Sequence, residues 1–464
     1  MSERPSETAH AAPKPERKRK DLLQGPVGRT ILELAGPMLA GVAAVILFNV
    51  VDTYFVSRLG AVELAAMSFT YPVTFLVVSV SMGLGVGMTV AVARFVGQGD
   101  REQVRKLTTH GLLLGNFIVV VVALVGLFTM GPLFRSLGAS PELVEKIRDY
   151  MLPWYLGVGF LIVPMMGNSA IRATGDTKTP SFIMLFASVL NGILDPLLIF
   201  GWGPFPRLEL AGAAIASVIS WMLTFAAALW MLGKREQMLE LAWPKWQEMK
   251  ASWKRIFAVG LPASANNVVL PLAMGMLTRL VAGHGTESVA AFGVGGRVDS
   301  LALIGLPALA LAASPFVGQN LGAGNYDRVQ TAVKFCIKAA LGYGVGIGAL
   351  LILLAPPVAR LFSDQPLVIE GIVHYLRIVP LGYAPFCVSI LIGAIFNALN
   401  RALKTTFLIA FRLFVLTVPL AALGARLAGV EGIFGGIAMA NLLAGCLAFW
   451  MIRHVLRDPE AALA

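Results

Sequence analysis

Long apolar runs separated by short polar breaks fill the chain from about residue 31 to residue 452. Runs of about 20 apolar residues are long enough to cross a bilayer as helices. The breaks carry turn residues, as in GQGDREQ, ATGDTKTP and GAGNYDR. The pattern therefore predicts an all-α polytopic membrane protein with about twelve transmembrane helices. The predicted spans are residues 31–57, 63–93, 107–130, 145–171, 180–201, 210–232, 254–281, 288–317, 333–355, 368–396, 404–424 and 430–452.

The composition agrees with this fold class. Of the 464 residues, 57% are hydrophobic and 14% are charged, whereas soluble domains carry about 25% charged residues. Cys336, Cys387 and Cys446 stand singly in apolar runs. Because they lack metal-ligand spacing, we interpret them as reduced packing residues. The composition thus excludes a soluble protein, and the cysteine spacing gives no disulfide framework.

The basic residues predict how the chain is oriented in the membrane. Residues 1–29 are polar and basic, with the run PKPERKRK and no apolar signal-peptide core, so we predict a disordered cytoplasmic tail. With that tail inside, the loops predicted to be cytoplasmic hold most of the Lys and Arg residues, which places both termini in the cytoplasm. The net charge of +11 is spread over short loops, so we expect membrane lipids rather than nucleic acid as partners.

The two halves of the chain are related by a shift of about 225 residues. At this shift Pro37 falls on Pro262 and Gly60 falls on Gly285, with no gap between them. Further matches are Gly97 with Gly322, Gly99 with Gly324, Val104 with Val329, Tyr150 with Tyr375 and Gly157 with Gly382. An even number of helices in each half predicts parallel repeats around an axis along the membrane normal, with substrate bound between them.

This duplication predicts two six-helix lobes joined by a polar linker. We assign residues 1–29 to the tail, 30–232 to the N-lobe, 233–255 to a cytoplasmic linker, 256–453 to the C-lobe and 454–464 to a cytoplasmic C-terminal tail. The linker contains the run WPKWQEMKASWKR, which is too polar to cross the membrane.

Two acids lie inside apolar spans of the predicted N-lobe. Asp52 is about six residues from the outer end of its helix, and so is Asp195, which places both about 9 Å below that end. A charge at membrane depth costs at least roughly 2.5–3.5 kcal/mol. Asn191 precedes Asp195 by one turn and shares its helix face. We interpret this set as a functional site, with buried packing acids or acids that reach the interface as the alternative.

Two neighbouring carboxylates in a low dielectric cannot both ionise cheaply, so one of them is expected to hold a proton near neutral pH. Loss of charge from the first helix would let it bend at Pro37, whose ring removes a backbone hydrogen bond. The pair therefore predicts a proton switch.

Several motifs together resemble the multidrug and toxic compound extrusion (MATE) family, and the resemblance covers nearly the whole chain after residue 28. The motifs are LAGPMLAG, NVVDTYFVSRLG, GQGD, IRATGDTKTP, NGILDPLLI, AGAAIAS, AAFGVGGRVDS and PFVGQNLGAGN. The resemblance implies two six-helix lobes in a V around a central cavity. It also implies a monomer in a bacterial-type inner membrane that exports organic, cationic drugs by alternating access, driven by a proton or sodium gradient.

The acid in the first helix and the Asn-x-x-x-Asp-Pro of the fifth resemble the DinF-like branch of this family. That branch implies a cation site formed by Asp52, Asn191, Asp195 and Ser217, with Pro37 as the hinge. Family members often have Thr at the position of Ser217, and Ser keeps the hydroxyl. Hard oxygen ligands suit Na⁺ or a proton better than a soft metal. We expect no cofactor beyond this coupling ion and no enzymatic activity.

The C-terminal half departs from this pattern. The repeat equivalent of Asp52 is Leu277, and that of Asp195 is near Ala421, so no equivalent cation site is expected there. A second polar site is instead formed by Arg297, Asp299 and Arg412. Arg297 and Asp299 are two residues apart and do not face each other on a helix. Two roles remain open for this polar site. Asp299 forms a structural ion pair with Arg412, or the residues form a second coupling or gating site.

The substrate wall is less well defined by the sequence. Met and aromatic residues at helical spacing more often pack or face lipid than bind a ligand. The candidates are Met38, Phe48, Tyr71, Phe75, Tyr155, Met165, Met166 and Phe292. A lipid or lipid-linked oligosaccharide flippase of the same superfamily is the main alternative function. It would need a strongly basic cavity, to which only Arg297 and Arg412 could contribute at depth.

Overall fold

The computed structural model describes residues 21–457, and the regular secondary structure of those residues is helical. The first half contains α1 (Val27–Ser57), α2 (Ala61–Gln98), α3 (Arg101–Ser136), α4 (Pro141–Gly157), α5 (Gly159–Ala173), α6 (Lys178–Phe200) and α7 (Glu209–Trp230). The second half contains α8 (Trp246–Ala282), α9 (Thr286–Ala302), α10 (Gly305–Gly322), α11 (Tyr326–Phe362), α12 (Pro366–Ile378), α13 (Tyr383–Ala398), α14 (Ala402–Ala410) and α15 (Val418–Arg457).

These helices make twelve spans among the described residues. Eight helical segments are each long and apolar enough to cross a membrane once. The pairs α4 with α5 and α9 with α10 each form one bent span, with bends of 52° and 42°. The segment Ala402–Arg453 has 52 residues, and non-helical backbone at Ala428 and Gly429 divides it into two spans. The predicted all-α fold with about twelve membrane helices is confirmed.

A tyrosine explains the bend between α9 and α10. The hydroxyl of Tyr343 donates to the carbonyl oxygen of Ala302 at 2.6 Å and accepts from the backbone N–H of Gly305 at 3.2 Å. It therefore satisfies two backbone groups that an interrupted helix would leave unpaired. The sequence pattern predicted a single straight span here, because hydropathy does not detect such a break.

Helices begin inside two segments that the sequence assigned to the tail and the linker. Residues 21–29 were assigned to a disordered tail, yet Leu22 is buried and α1 begins at Val27. Arg328 donates to the carbonyl oxygens of Gln24 and Gly25 at 3.1 and 2.9 Å, which fixes this segment on the C-lobe. The predicted linker of residues 233–255 is also too long, because α8 begins at Trp246. Residues 1–20 and 458–464 lie outside the described part of the chain.

The two halves pack as related lobes, here defined as the N-lobe (α1–α7) and the C-lobe (α8–α15). Helix α2 packs on α8 and α1 packs on α10, and the repeat relates these two contacts because α1 corresponds to α8. Gly97 approaches the backbone of Gln319, while Gly322 approaches the backbone of Arg94. Residues 94 and 97 become 319 and 322 under the 225-residue shift. This reciprocal contact supports the internal duplication in three dimensions.

The segment between the lobes docks on α3. The backbone N–H of Glu240 donates to the Thr109 hydroxyl at 2.8 Å, and Arg105 donates to the Leu239 carbonyl oxygen at 3.2 Å. The indole N–H of Trp253 donates to the His110 carbonyl oxygen at 2.9 Å. We call this side of the bundle, with the ends of α2, α5 and α10 and the start of α3, the linker face.

Helix α1 connects the two lobes. Ile31 and Leu34, near its first end, pack in a C-lobe core with residues of α10, α11 and α13. Val56, near its last residue, packs in the N-lobe core. Pro37 lies between these anchored ends, at a point where its ring removes the hydrogen bond to the carbonyl oxygen of Glu33. A bend in α1 would therefore change how the lobes meet.

Candidate cation-coupling site

Three helices of the N-lobe bring together the polar side chains that the sequence singled out. Asp52 comes from α1, Asn191 and Asp195 come from α6, and Ser217 comes from α7. The exposed fractions of these residues are 8%, 3%, 0% and 8%, in that order. The carboxylate of Asp52 is close enough to that of Asp195 for the two to repel each other electrostatically. The four residues predicted from sequence are thus neighbours in space.

The sequence of α6 explains how this site is formed. Asn191 and Asp195 are one helical turn apart, so their side chains point the same way. Between them, Gly192 faces Val51 of α1, and a Cβ placed on this glycine would lie 3.9 Å from the valine side chain. Small residues let helices approach closely in membranes. This packing brings α1 and its Asp52 beside the polar face of α6.

A proline in α6 leaves a backbone carbonyl oxygen near the acid pair without a helical hydrogen bond. Pro196 lies inside α6, directly after Asp195. Its ring nitrogen has no hydrogen, so the carbonyl oxygen of Gly192 lacks its normal helical donor. A carbonyl oxygen without that bond is available to a cation.

The amide of Asn191 holds α6 and α7 together. We assign its nitrogen to the side of Asp195 and its oxygen to the side of Ser217, because this orientation pairs donors with acceptors. The nitrogen then donates to the two Asp195 oxygens at 3.0 and 3.3 Å. The oxygen accepts from the backbone N–H and the hydroxyl of Ser217 at 3.0 and 3.2 Å.

A tyrosine that the sequence did not single out as functional completes the surroundings. Tyr150 of α4 is 9% exposed, and its side chain lies within electrostatic reach of both Asp52 and Asp195. Its repeat partner Tyr375 donates to the Asp299 carboxylate at 2.7 Å. Both lobes therefore place the same repeat tyrosine beside an acid. The match of Tyr150 with Tyr375 was the sequence signal that could have found this role.

The charge balance of the site limits what it can bind. Within residues 21–457, neither Asp52 nor Asp195 forms an ion pair with a Lys, Arg or His side chain. Unpaired carboxylates at membrane depth are costly unless a proton or a cation neutralises them. In the same part of the chain, no group of three or more His, Cys, Asp or Glu residues could hold a metal ion. Carboxylate and hydroxyl oxygens are hard donors, which suit a proton or Na⁺ better than a soft metal.

The repeat positions of this acid pair are apolar in the C-lobe. Leu277 and Ala421, which occupy them, are 3% and 0% exposed and pack in an apolar core. The repeat prediction that the acid pair belongs to one lobe agrees with this packing.

The polar residues of the C-lobe form separate contacts. Asp299 accepts hydrogen bonds from the hydroxyls of Tyr375 and Tyr383. Arg412 donates to the Asn441 side-chain oxygen at 3.3 Å and makes no ion pair with Asp299. The Asp299–Arg412 ion pair considered from sequence is therefore not formed, because tyrosines satisfy the carboxylate. Arg297 lies exposed on α9.

Comparison with known proteins identifies the family. The MatE family model matches residues 37–197 and again residues 262–423. The chain belongs to the MatE family. The two matched segments begin at Pro37 and Pro262, which are the first repeat partners found in the sequence. This confirms the resemblance to MATE transporters, while the DinF-like branch stays a prediction.

Relatives of this MatE protein carry different names. It is 36% identical to the FAD transporter of Shewanella oneidensis over 96% of this chain and 99% of that one. It is 27% identical to the probable multidrug resistance protein NorM of Thermotoga maritima over 82% of this chain and 80% of that one. The bent form of the Vibrio cholerae MATE transporter VcmN matches with a TM-score of 0.88 and 30% identity, covering 94% of this chain and 98% of that one.

Half of the predicted substrate wall is buried within the lobes of this MatE protein. Met38, Tyr155, Met166 and Phe292 are at most 5% exposed, so they are packing residues and not a wall open to substrate. Tyr155, for example, lies against Gly126, where a Cβ would overlap its ring. The other candidates are accessible in part or fully. They are Phe48, Tyr71, Phe75 and Met165.

Proposed function

We propose that this MatE protein is an antiporter that exports small amphipathic molecules and is driven by H⁺ or Na⁺ bound at Asp52, Asn191, Asp195 and Ser217. The observation that carries this proposal is the buried acid pair, which has no basic partner within residues 21–457 and whose Asp195 carboxylate accepts only from the neutral amide of Asn191 among the described side chains. A site of this kind is stable when an ion or proton is present and costly when it is empty. Its occupancy can therefore be linked to a conformational equilibrium.

Helix α1 provides the connection between ion binding and transport. Its first end is packed in the C-lobe through Ile31 and Leu34, while Asp52 faces α6 of the N-lobe. Neutralising Asp52 removes the repulsion between its carboxylate on α1 and the Asp195 carboxylate on α6. Pro37 lies between the two contacts and lowers the cost of a bend. Ion binding in the N-lobe can thereby alter the contact between the lobes.

We place the linker face in the cytoplasm, with both termini on that side. The loops on this face carry the excess of Lys and Arg expected for the cytoplasmic side of an inner-membrane protein. The close contacts between α2 and α10 on this face then describe a state that is shut toward the cytoplasm.

Two substrate classes are candidates for this transport cycle. Several relatives carry multidrug names, and these support the organic cations expected from sequence. The FAD transporter is a relative over nearly the whole length of both chains, and this specific match favours a flavin dinucleotide as the second candidate. A lipid-linked substrate has no such match among these relatives.

Transport by the purified protein in liposomes, with proton and sodium gradients imposed separately, tests this function. We expect one of the gradients to drive accumulation of ethidium or FAD at least about tenfold faster than no gradient, since a coupled cycle moves substrate only as the ion moves. Leakage through empty liposomes is the control for passive entry. Equal rates with and without both gradients would exclude a cation-coupled antiporter.

Replacing Pro37 by Ala is expected to slow transport several-fold because it restores a hydrogen bond in α1 and stiffens the helix. Ion binding should be unchanged, since Pro37 lies about four turns from Asp52. The two readouts are the transport rate and ion-dependent protection against thermal unfolding. Matched Pro72→Ala in α2 serves as the control for loss of a helical proline. Transport at the normal rate by the Pro37→Ala variant would show that bending of α1 at Pro37 is not part of the mechanism.

A further inference from the structure

The C-lobe contains a guanidinium group for which residues 21–457 supply no acid. Arg412 lies about 10 residues into the span that begins with α14, which corresponds to about 15 Å along the helix axis. Its side chain is half-buried. Among the described residues its contacts are Asn441, at 3.3 Å, and the ring of Phe386, at 4.8 Å from the ring centre. Within residues 21–457 its guanidinium forms no ion pair with a carboxylate.

The backbone around Arg412 is also unusual. Residues Phe411–Thr417 form a π-helical stretch between α14 and α15. Such stretches are rare and frequently mark functional sites. The Thr417 hydroxyl donates to the Arg412 carbonyl oxygen at 2.8 Å, which satisfies a backbone group that the wide turn disturbs. The guanidinium is thus held at the junction of α13, α14 and α15 by groups that do not neutralise it.

Each lobe therefore holds ionisable groups at membrane depth that have no oppositely charged partner among the described residues. As far as the structure describes the chain, Asp52 and Asp195 in the N-lobe have no basic partner, and Arg412 in the C-lobe has no acidic one. Asp299 forms no ion pair with Arg412, and its carboxylate accepts instead from two neutral tyrosine hydroxyls. An unpaired guanidinium in a low-dielectric region is as costly as an unpaired acid. An anionic ligand would stabilise the Arg412 guanidinium, as a proton or a cation would stabilise the acid pair of the N-lobe.

We infer that Arg412 binds the anionic group of the exported substrate, and that this group is a phosphate, a pyrophosphate or a carboxylate on an aromatic molecule. Guanidinium groups bind such oxyanions through two parallel hydrogen bonds. The ring of Phe386 lies against the Arg412 guanidinium and places an aromatic side chain at the same site. This inference rests on the proposed export function and specifies the substrate class of the C-lobe. The coupling ion would occupy the N-lobe while the organic anion occupies the C-lobe.

The affinities of three probes for the purified full-length protein distinguish recognition of an anionic group by Arg412 from a general effect of Arg412 on protein stability. FAD carries a pyrophosphate, riboflavin has the same ring system without phosphate, and ethidium is a planar cation. We expect Arg412→Gln to weaken FAD binding about tenfold to hundredfold, as expected for loss of a bidentate charge-assisted contact. Riboflavin and ethidium binding should change less than about twofold, since neither probe offers an oxyanion to the guanidinium. Arg412→Lys should give an intermediate loss for FAD, because it keeps the charge and removes the fork.

Arg426→Gln is the matched control, because Arg426 is exposed near the other end of the same span and should leave all three affinities unchanged. Equal weakening of all three probes by Arg412→Gln would assign Arg412 a structural role and overturn the inference. Unchanged FAD binding together with loss of co-purified phosphatidylglycerol would assign the residue to a lipid headgroup and also overturn it. A wild-type protein that transports ethidium under a gradient but neither binds nor transports FAD would overturn the inference and leave export standing. Failure to transport every probe would count against both.

Discussion

Replacing Asp52 by Asn is expected to abolish gradient-driven efflux while the protein still folds and inserts. The amide keeps the size of the side chain and cannot take up or release a proton, and it contributes no charge to a bound cation. Since Asp52 lies at the contact between α1 and the polar face of α6, the link between ion binding and helix position is lost. We expect the coupled transport rate to fall at least about a hundredfold, because the interaction removed is the one that drives the cycle. The measurement is uptake into liposomes under the gradient that drives the wild-type protein.

Asp195→Asn is expected to give the same loss, and the double variant should be no worse than either single one. Residues that act as one site are strongly non-additive, whereas independent residues would multiply their effects. Asp364→Asn is the control, because this acid lies exposed between α11 and α12 and should leave transport intact. Normal efflux by the Asp52→Asn variant would remove this residue from the coupling site.

Stability measurements separate a coupling acid from a packing acid. A satisfied structural carboxylate would lower the free energy of unfolding when replaced, because its partners would be left unpaired. Within residues 21–457, no side-chain donor or basic group is hydrogen-bonded to the Asp52 carboxylate. We therefore expect the melting temperature of the Asp52→Asn variant to equal or exceed that of the wild-type protein without ions.

Hydropathy and internal repetition predict much of this architecture, because membrane helices need long apolar runs and duplicated halves keep the same spacing. The match of Pro37 with Pro262 reappears in the helices, since each proline lies inside the corresponding helix, α1 or α8. The four N-lobe site residues also come together as predicted. Equal depth predicted the meeting of Asp52 and Asp195, one-turn spacing added Asn191, and Ser217 came only from the family resemblance.

The features that the sequence did not predict depend on contacts between side chains and residues of other helices. Tyr343 of the neighbouring α11 forms hydrogen bonds with the backbone at the break between α9 and α10. The sequence pattern of α9 and α10 does not indicate this contact. Tyr375 and Tyr383 donate to Asp299 from two other segments, so the pairing with Arg412 that the sequence left open is not formed. Leu22 is buried in a C-lobe core although it follows a run of charged residues in the sequence. Local periodicity carries no information on such partners.

Replacing Gly97 by Ala is expected to prevent the lobes from closing at the linker face and to reduce transport at least about tenfold, because overpacking against fixed backbone is costly. A Cβ at Gly97 would overlap the backbone of Gln319, and backbone cannot move aside as a flexible side chain can. Gly322→Ala should have the same effect, because the repeat places it against the backbone of Arg94. The closed state could then form only with the lobes shifted apart. Transport in liposomes measures the loss, and thermal unfolding shows whether the lobes themselves remain folded.

Gly346→Ala is the matched control, because this helical glycine of α11 has no atom within 4 Å of the added Cβ. Its transport rate should equal that of the wild type. The Gly97→Ala and Gly322→Ala variants should also share a signature that a simple packing defect would not produce. Since each lobe retains its own apolar core, the loss should fall on transport and not on the folded fraction. Full transport by Gly97→Ala would show that closure does not require this contact, whereas loss of folding in both variants would make the contact a structural one.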